Sequence, residues 1–517
     1  MFDDAIRVAI SLQARNIQPG DKVGILGLTS REAVTALEGI WLCGAVPIML
    51  SLPQRITSLQ DFLESTRSRM KLTSVSLLLL DPDLSPYYEF EPGDPETILL
   101  NEVLVSTHAQ YQRPPVDMKR LSVLQFTSGS TSLPKGVRIQ HAQIVSHIKS
   151  ISQAAQFDPA IDVVVSWLPL YHDMGFIGLL ATPMASGSEL VLARPQDFLA
   201  RPISWMEAIS AFKGSISAGP NFSYSLAARA LAHVDNLDLS SWRIALNGAE
   251  TIIPEALENF LEAGGHLNLD PGSAFCAFGM AESTLAVTFP EPGSGMSSMV
   301  VDRYRLEHDN VAVAPSQGID KEWLRRFAKL GTPIPGMEVR IVDTNSNEPV
   351  DSNHVGEIEI RGTSVTPGYL DPRDDDKAFH DGWLRTGDLG FISDGELVAC
   401  GRIKDIIQLD GRSIYPEDIE RRAAGVSGVR AGNVIAFSTV TRKGEPEIVV
   451  VAETRSESAT ELSRIRSEIQ KDLKYHIGID LADVALVGPG SIPKTSSGKL
   501  QRSLCMRNYV SELLTPL

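Results

Sequence analysis

The sequence predicts an α/β fold: a large N-terminal domain of layered α/β subdomains plus a β-rich subdomain, then a small α+β C-terminal unit. Three observations carry this. First, apolar runs of strand length recur between amphipathic stretches: Lys22 to Leu28, Ser74 to Leu80, Ser122 to Phe126, Val163 to Leu168, Glu189 to Ala193 and Arg243 to Leu246. Such alternation favours parallel sheets with helical crossovers. Thr29 to Gly44 reads as one crossover helix, with a hydroxyl start, Ala33 and Leu37 on one face, and a terminal glycine. Second, strands crowd together after Gly336 (Met337 to Val342, Gly356 to Arg361, Glu396 to Cys400), punctuated by Gly, Asp and Asn. This marks a β-rich subdomain at about 330–400. Third, beyond Gly401 a smaller unit centres on a helix from Thr460 to Ile477, with Leu462, Ile465, Ile469, Leu473 and Ile477 on one face and Gly478 as its stop. Strands at Asn433 to Phe437 and Glu447 to Ala452 flank it. No repeat or Pro/Ser-rich linker intervenes, so residues 1–403 and 404–517 are expected to join through a short hinge.

The composition narrows the function. The 517 residues, 43% of them hydrophobic, suffice for more than one large core. A net charge of −17 with no basic run excludes nucleic acid and anionic membranes as natural partners, while leaving room for a small anion in a locally positive pocket. Cys43, Cys276, Cys400 and Cys505 lie far apart without CxxC spacing and read as buried free thiols. There is no secretory signal and no apolar run of membrane-spanning length, so a soluble cytoplasmic protein is expected.

Residues 126 to 136, Phe-Thr-Ser-Gly-Ser-Thr-Ser-Leu-Pro-Lys-Gly, place small and hydroxylated residues and one lysine in a turn after an apolar run. Thr127, Ser128, Gly129, Ser130 and Thr131 offer hydroxyl and backbone N–H donors, the glycine permits close approach to an anion, and Lys135 adds positive charge. The pattern is neither GxxxxGK[ST] nor GxGxxG. A solvated Ser/Gly loop has the same composition, so the rest of the chain decides.

This segment resembles the phosphate loop of adenylate-forming enzymes, the superfamily of acyl-CoA synthetases, fatty-acyl-AMP ligases, luciferases and peptide-synthetase adenylation domains. Further motifs follow in the family's order. They are Trp-Leu-Pro-Leu-Tyr-His-Asp-Met-Gly ending at Gly175, Asn-Gly-Ala-Glu ending at Glu250, and Phe-Gly-Met-Ala-Glu from Phe278 to Glu282. Next come Arg-Gly-Thr-Ser-Val-Thr-Pro-Gly-Tyr (361–369), Trp-Leu-Arg-Thr-Gly-Asp-Leu-Gly (383–390), Gly-Arg-Ile-Lys-Asp (401–405) and Pro-Lys-Thr-Ser-Ser-Gly-Lys-Leu-Gln-Arg (493–502). The resemblance runs from about Pro19 to the end. The His-Asp-Met-Gly form and the tract from Gly401 to Glu420 are most like fatty-acyl-AMP ligases, which adenylate an acid and pass it to a carrier-protein thiol. Two features depart from that pattern. Tyr369 and Trp383 are joined by a short loop, as in coenzyme A ligases, and the chain opens almost directly on its first helix-like stretch.

The resemblance implies ATP and Mg²⁺ as cofactors and a carboxylic acid as substrate, with catalysis by positioning and charge neutralisation. It implies that Lys499, on a mobile C-terminal lid, is the catalytic residue and touches the carboxylate and α-phosphate oxygens. Glu282 is the implied Mg²⁺ ligand. Asn247, Gly248, Ala249, Glu250, Phe278, Gly279, Met280 and Ala281 correspond to the adenine site, and Asp388 and Arg402 to the ribose site. His172, Asn221 and Phe222 correspond to the acyl pocket, and Lys404 to the hinge on which the lid turns before the thiol of a carrier protein or of coenzyme A enters near Gly411. Glu417 and Asp418 read as helix-start acids without a role. Three functions fit in descending order: an acyl-AMP ligase for an apolar acid, a complete acyl-CoA ligase, and a non-catalytic binder of acyl adenylates.

Overall fold

A computed structural model describes residues 1–53, 58–104, 110–127, 135–440, 446–494 and 498–517. Its first layer is a parallel sheet ordered Val46–Met49, Lys22–Leu26, Val75–Leu80, Glu96–Leu99. The run Leu77 to Leu80 is buried because a parallel strand is covered on both faces. The expected crossover helix forms at Arg31–Leu42, where the Ser30 hydroxyl caps it by accepting the Ala33 amide at 3.1 Å.

A second parallel sheet runs Ala274–Cys276, Ile244–Asn247, Ile216–Gly219, Val163–Ser166, Glu189–Leu192. One continuous core spans both sheets and their helices. Leu121–Phe126 and Gly136–Gln140 form an antiparallel pair. The phosphate-loop candidate therefore joins two antiparallel strands rather than a strand to a helix, so no helix dipole follows it. The Thr127 amide donates to the Lys135 carbonyl at 3.0 Å and closes its base. Ser128, Gly129, Ser130 and Thr131 lie outside the described residues.

The β-rich subdomain is a five-stranded sheet ordered Met337–Val342, Gly356–Gly362, Trp383–Ser393, Phe379–His380, with Glu396–Arg402 also paired to Trp383–Ser393. Asp394 (φ 52°) and Gly395 (φ 82°) make the tight hairpin turn that Asp-Gly favours, and a one-residue register shift between Leu389 and Gly390 then places Asp388 opposite Arg402.

The C-terminal unit has its own core around a sheet of Val429–Val440, Pro446–Thr454 and Asp483–Val487. Helix Ala459–His476 buries Leu462, Ile465, Ile469 and Leu473 against that sheet, one residue from the expected bounds. Gly478 (φ 73°) ends it by donating its amide to the Leu473 carbonyl at 3.1 Å. All four cysteines are free and buried. Among the described residues, no helix is long and apolar enough to cross a membrane.

Candidate active site

Most of the motif residues cluster beyond the carboxyl ends of the second parallel sheet, where α/β folds place ligands. Asn247 ends one strand, Asn221 follows the next, His172 follows Val163–Ser166, and Phe278 follows Ala274–Cys276. The adenine-site candidates are held by backbone geometry. Ala249 adopts φ 72°, and a Cβ at Gly248 would stand 3.1 Å from the Ala277 carbonyl oxygen. At Gly279 a Cβ would meet the Leu285 carbonyl oxygen at 2.0 Å, so only glycine fits the step from Phe278 to Met280. Phe278 and Met280 stay half-buried beside this turn.

Asn221 is anchored at this turn by its own hydrogen bonds. Its Oδ1 accepts from Asn247 Nδ2 and from the Ile253 amide, both at 3.0 Å, and its Nδ2 donates to the Thr251 carbonyl at 2.8 Å. Its own amide donates to Glu250 Oε1 at 2.9 Å. With its side chain so engaged, Asn221 braces the Asn247–Glu250 segment. Phe222 is half-buried: its ring packs edge-on to Trp167 at 6.2 Å and lies 3.2 Å from where a Cβ on Gly498 would be.

That contact brings the C-terminal lysine into the site. Burial pushes the Lys499 ammonium pKa below its ordinary value, while the carboxylates of Asp173, Glu250 and Asp388 act to hold the proton on. The same field works in reverse on the acids. Burial raises the Glu250 pKa against Lys499 and the Asn221 amide, and raises the Asp388 pKa against Arg402, Lys404 and Lys499. Asp173 is also penalised by burial, but His172, Lys499 and the Met174 amide overcome it and hold its pKa low. Its Oδ1 lies 2.6 Å from His172 Nδ1 and accepts the Met174 amide at 2.8 Å. Directly after it, Met174–Ala181 winds as a π-helix, a distortion that often accompanies functional sites.

Asp388 and Arg402 pair across neighbouring strands at 3.2 Å, with the carboxylate side chain 15% exposed and the guanidinium side chain 52% exposed. Lys404 is exposed in the turn Ile403–Asp405 that follows. That turn is tied to the lysine-bearing segment, because Arg502 reaches Asp405 at 2.7 Å and Glu420 at 2.8 Å.

Glu282 lies in the short turn Ala281–Ser283 that follows Phe278–Gly279. It is buried, and its Oε1 accepts the Tyr369 hydroxyl at 2.9 Å. Burial raises its pKa, with the Tyr369 hydroxyl and Arg402 opposing. Lys135 lies nearby, 3.0 Å from Asp374 and 4.8 Å from the Tyr369 ring centroid. Among the described residues no group of three His, Cys, Asp or Glu could hold a metal alone. One buried carboxylate whose Oε2 is engaged by no other side chain among the described residues suits a hard divalent cation whose remaining ligands are phosphate oxygens and water.

Sequence reasoning missed Asp173, Tyr369 and Arg502 as members of the cluster. All three stand inside motifs named above; the signal for the first two was an acid beside His172 and an aromatic closing Pro-Gly-Tyr. Arg502 closes the lysine motif, but nothing local points to Asp405.

Comparison with known proteins identifies the family. The AMP-binding enzyme model matches residues 1–370, and the AMP-binding enzyme C-terminal domain model matches residues 411–507. The long-chain-fatty-acid--AMP ligase FadD26 of Mycobacterium bovis (strain ATCC BAA-935 / AF2122/97) is 32% identical, covering 96% of this chain and 88% of the relative. The medium-chain-fatty-acid--[acyl-carrier-protein] ligase JamA of Moorena producens (strain JHB) is also 32% identical, covering 99% and 89%. A solved structure from a study of fatty acyl-adenylate ligases of E. coli and L. pneumophila superposes with a TM-score of 0.91 at 32% identity, covering 99% of this chain and 92% of that one. The chain thus belongs to the AMP-binding enzyme family and is an adenylate-forming enzyme of the fatty-acyl-AMP ligase type.

Proposed function

We propose that this enzyme joins an apolar carboxylic acid to the α-phosphate of ATP, releases pyrophosphate, and passes the acyl group to a carrier-protein thiol in the cytoplasm. The observation that carries the reading is the placement of Lys499: a lysine from the C-terminal unit lies in the field of Asp173, Glu250 and Asp388, on strands and turns of the large domain. A carboxylate attacking a phosphate brings like charges together, and a pre-placed ammonium lowers that barrier without any side-chain nucleophile. Asp388 and Arg402 would take the ribose, the Asn247–Glu250 and Phe278–Ala281 segments the adenine, and Thr127 and Lys135 the phosphates. Phe222 and His172 would border the acid. Mg²⁺, held by Glu282, would neutralise phosphate charge. Residues 1–403 act as the body and 404–517 as the lid, hinged at Lys404.

A second reading, direct thioester formation with coenzyme A, draws on the short connection between Tyr369 and Trp383, which holds only the small helix Pro372–Ala378 and the strand Phe379–His380. One experiment separates them. The protein is supplied with ATP, Mg²⁺ and a panel of acids, and pyrophosphate release is followed with coenzyme A, with a pantetheinylated carrier protein, or with neither. Adenylate that accumulates with coenzyme A and is consumed only with the carrier supports the proposal. Coenzyme A thioester formed as fast as adenylate refutes it in favour of the second reading.

A further inference from the structure

Tyr369 occupies an unusual junction. Its hydroxyl donates to Glu282 Oε1 at 2.9 Å, and Lys135 Nζ stands 4.8 Å from its ring centroid. One buried side chain thus meets the carboxylate assigned to the metal and the ammonium assigned to the phosphates. The local backbone leaves it little freedom. Its amide donates to Asp375 Oδ1 at 2.7 Å, the Leu370 amide to the Gly136 carbonyl at 2.7 Å, and the Arg138 amide to the Gly368 carbonyl at 3.2 Å. These bonds stitch residues 368–370 onto the strand that begins immediately after Lys135. Gly368 (φ 145°) makes the approach possible, since a Cβ there would come within 2.6 Å of the Asp375 carboxylate.

The simplest account of such a tyrosine is structural: a buried hydroxyl needs an acceptor, and Glu282 supplies one. Two features exceed that account. The acceptor is a buried carboxylate whose Oε2 is engaged by no other side chain among the described residues, and the opposite partner of the ring is a cation. A hydroxyl that occupies one carboxylate oxygen fixes the rotamer and presents the other oxygen, as groups behind metal ligands do. The ring face meanwhile gives the lysine a seat. We propose that Tyr369 is a positioning residue for the phosphate half of the site, aiming Glu282 at the metal through its hydroxyl and seating Lys135 through its ring. This rests on the reading that the site binds ATP with a divalent cation.

The two contacts can be cut separately. Tyr369→Phe keeps the ring and loses the hydroxyl; Tyr369→Leu loses both. Mn²⁺ serves as the probe, its binding measured by electron paramagnetic resonance on full-length protein with a non-hydrolysable ATP analogue, so no turnover is needed. Tyr369→Phe should weaken analogue-dependent Mn²⁺ binding about tenfold or more, and raise the Mg²⁺ concentration for half-maximal pyrophosphate exchange in parallel, with KM for ATP unchanged at saturating Mg²⁺. Tyr369→Leu should in addition raise that KM about two- to fivefold. Circular dichroism and thermal midpoints establish that both variants are folded. A folded Tyr369→Phe variant that binds Mn²⁺ within twofold of the parent overturns the proposal and leaves the nucleotide reading standing. A parent protein that shows neither analogue-dependent Mn²⁺ binding nor pyrophosphate exchange overturns both.

Discussion

Two buried charge clusters join the C-terminal unit to the body, and they are built in opposite ways. In the seam near Glu307, guanidinium groups from both units converge on acids. Glu307 meets Arg412 at 2.7 Å and Arg303 at 3.4 Å, and Asp418 meets Arg325 at 3.1 Å. Surplus donors go to helix-end carbonyls, Arg303 to that of His476 at 2.7 Å and Arg412 to that of Ile477 at 3.0 Å. Arg325 is further enclosed by the rings of Tyr415 and Phe327 at 4.0 and 4.6 Å. In the active-site cluster Glu282 is held by a phenol, Asp173 by an imidazole and an amide, Glu250 by an amide. The seam matches fixed charge with fixed charge and so holds one arrangement. In the site burial outweighs the partners of Glu250, Glu282 and Asp388, though not those of Asp173, and acids left in that state are the condition for a cation and a nucleotide to enter as ligands.

The sharpest way to break this contrast is Lys499→Ala. It removes an ammonium that the lid contributes to Asp173, Glu250 and Asp388, and loss of one such preorganised donor costs about 10²–10³ in rate. Pyrophosphate exchange should fall by that factor with an unchanged thermal midpoint. Exchange equal to the parent's would show that Lys499 is a bystander.

Next in size is Glu307→Gln. Removing one partner from a buried ion pair costs about 3–5 kcal/mol because the other charge is stranded, but here the strain can be relieved by parting the seam. The expected result is a fall of roughly tenfold in exchange and faster amide hydrogen exchange in the hairpin 407–414. Consumption of pre-formed acyl adenylate with a carrier protein should be spared. An equal loss in both half-reactions would mean that the seam serves stability alone.

Asp388→Ala should act on nucleotide affinity. A lost hydrogen bond to a charged group is worth about 1.5–3 kcal/mol, partly offset here because Arg402 is freed. KM for ATP should rise about tenfold with kcat little changed, read from exchange rates across ATP concentrations. An unchanged KM would remove Asp388 from the ribose site.

Much of this was legible because the chemistry is written in contiguous residues. A buried parallel strand reads as an apolar run, so both sheets could be placed, and the helix ending at His476 was marked by its own apolar face and by Gly478. The Asn-Gly-Ala-Glu and Gly-Met-Ala-Glu turns were recognisable for the same reason. The seam was not legible. Arg303, Arg325 and Arg412 are scattered, and Asp418 looks like any acid at a helix start until Arg325 from another unit is folded against it. The bracing of the Asn247–Glu250 segment by Asn221 was not legible, because its partners lie some thirty residues away in the chain. The antiparallel flanks of residues 126 to 136 escaped notice because strand direction is a property of pairing, which no short window contains.

The smallest effect tests the site's incompleteness most directly. Lys135 sits 3.0 Å from Asp374, with side chains 31% and 29% exposed, so the pair is partly solvated and worth less than about 1 kcal/mol. If the phosphates must draw Lys135 away from that carboxylate, Asp374 competes with ATP, and Asp374→Asn should lower KM for ATP about two- to threefold. The gain should shrink as salt screens the pair in the parent. If Asp374 instead fixes the lysine for its ligand, as Asp418 fixes Arg325 in the seam, the same substitution raises KM. Measuring KM for ATP at low and high ionic strength therefore decides whether Lys135 belongs with the under-compensated charges or with the satisfied ones.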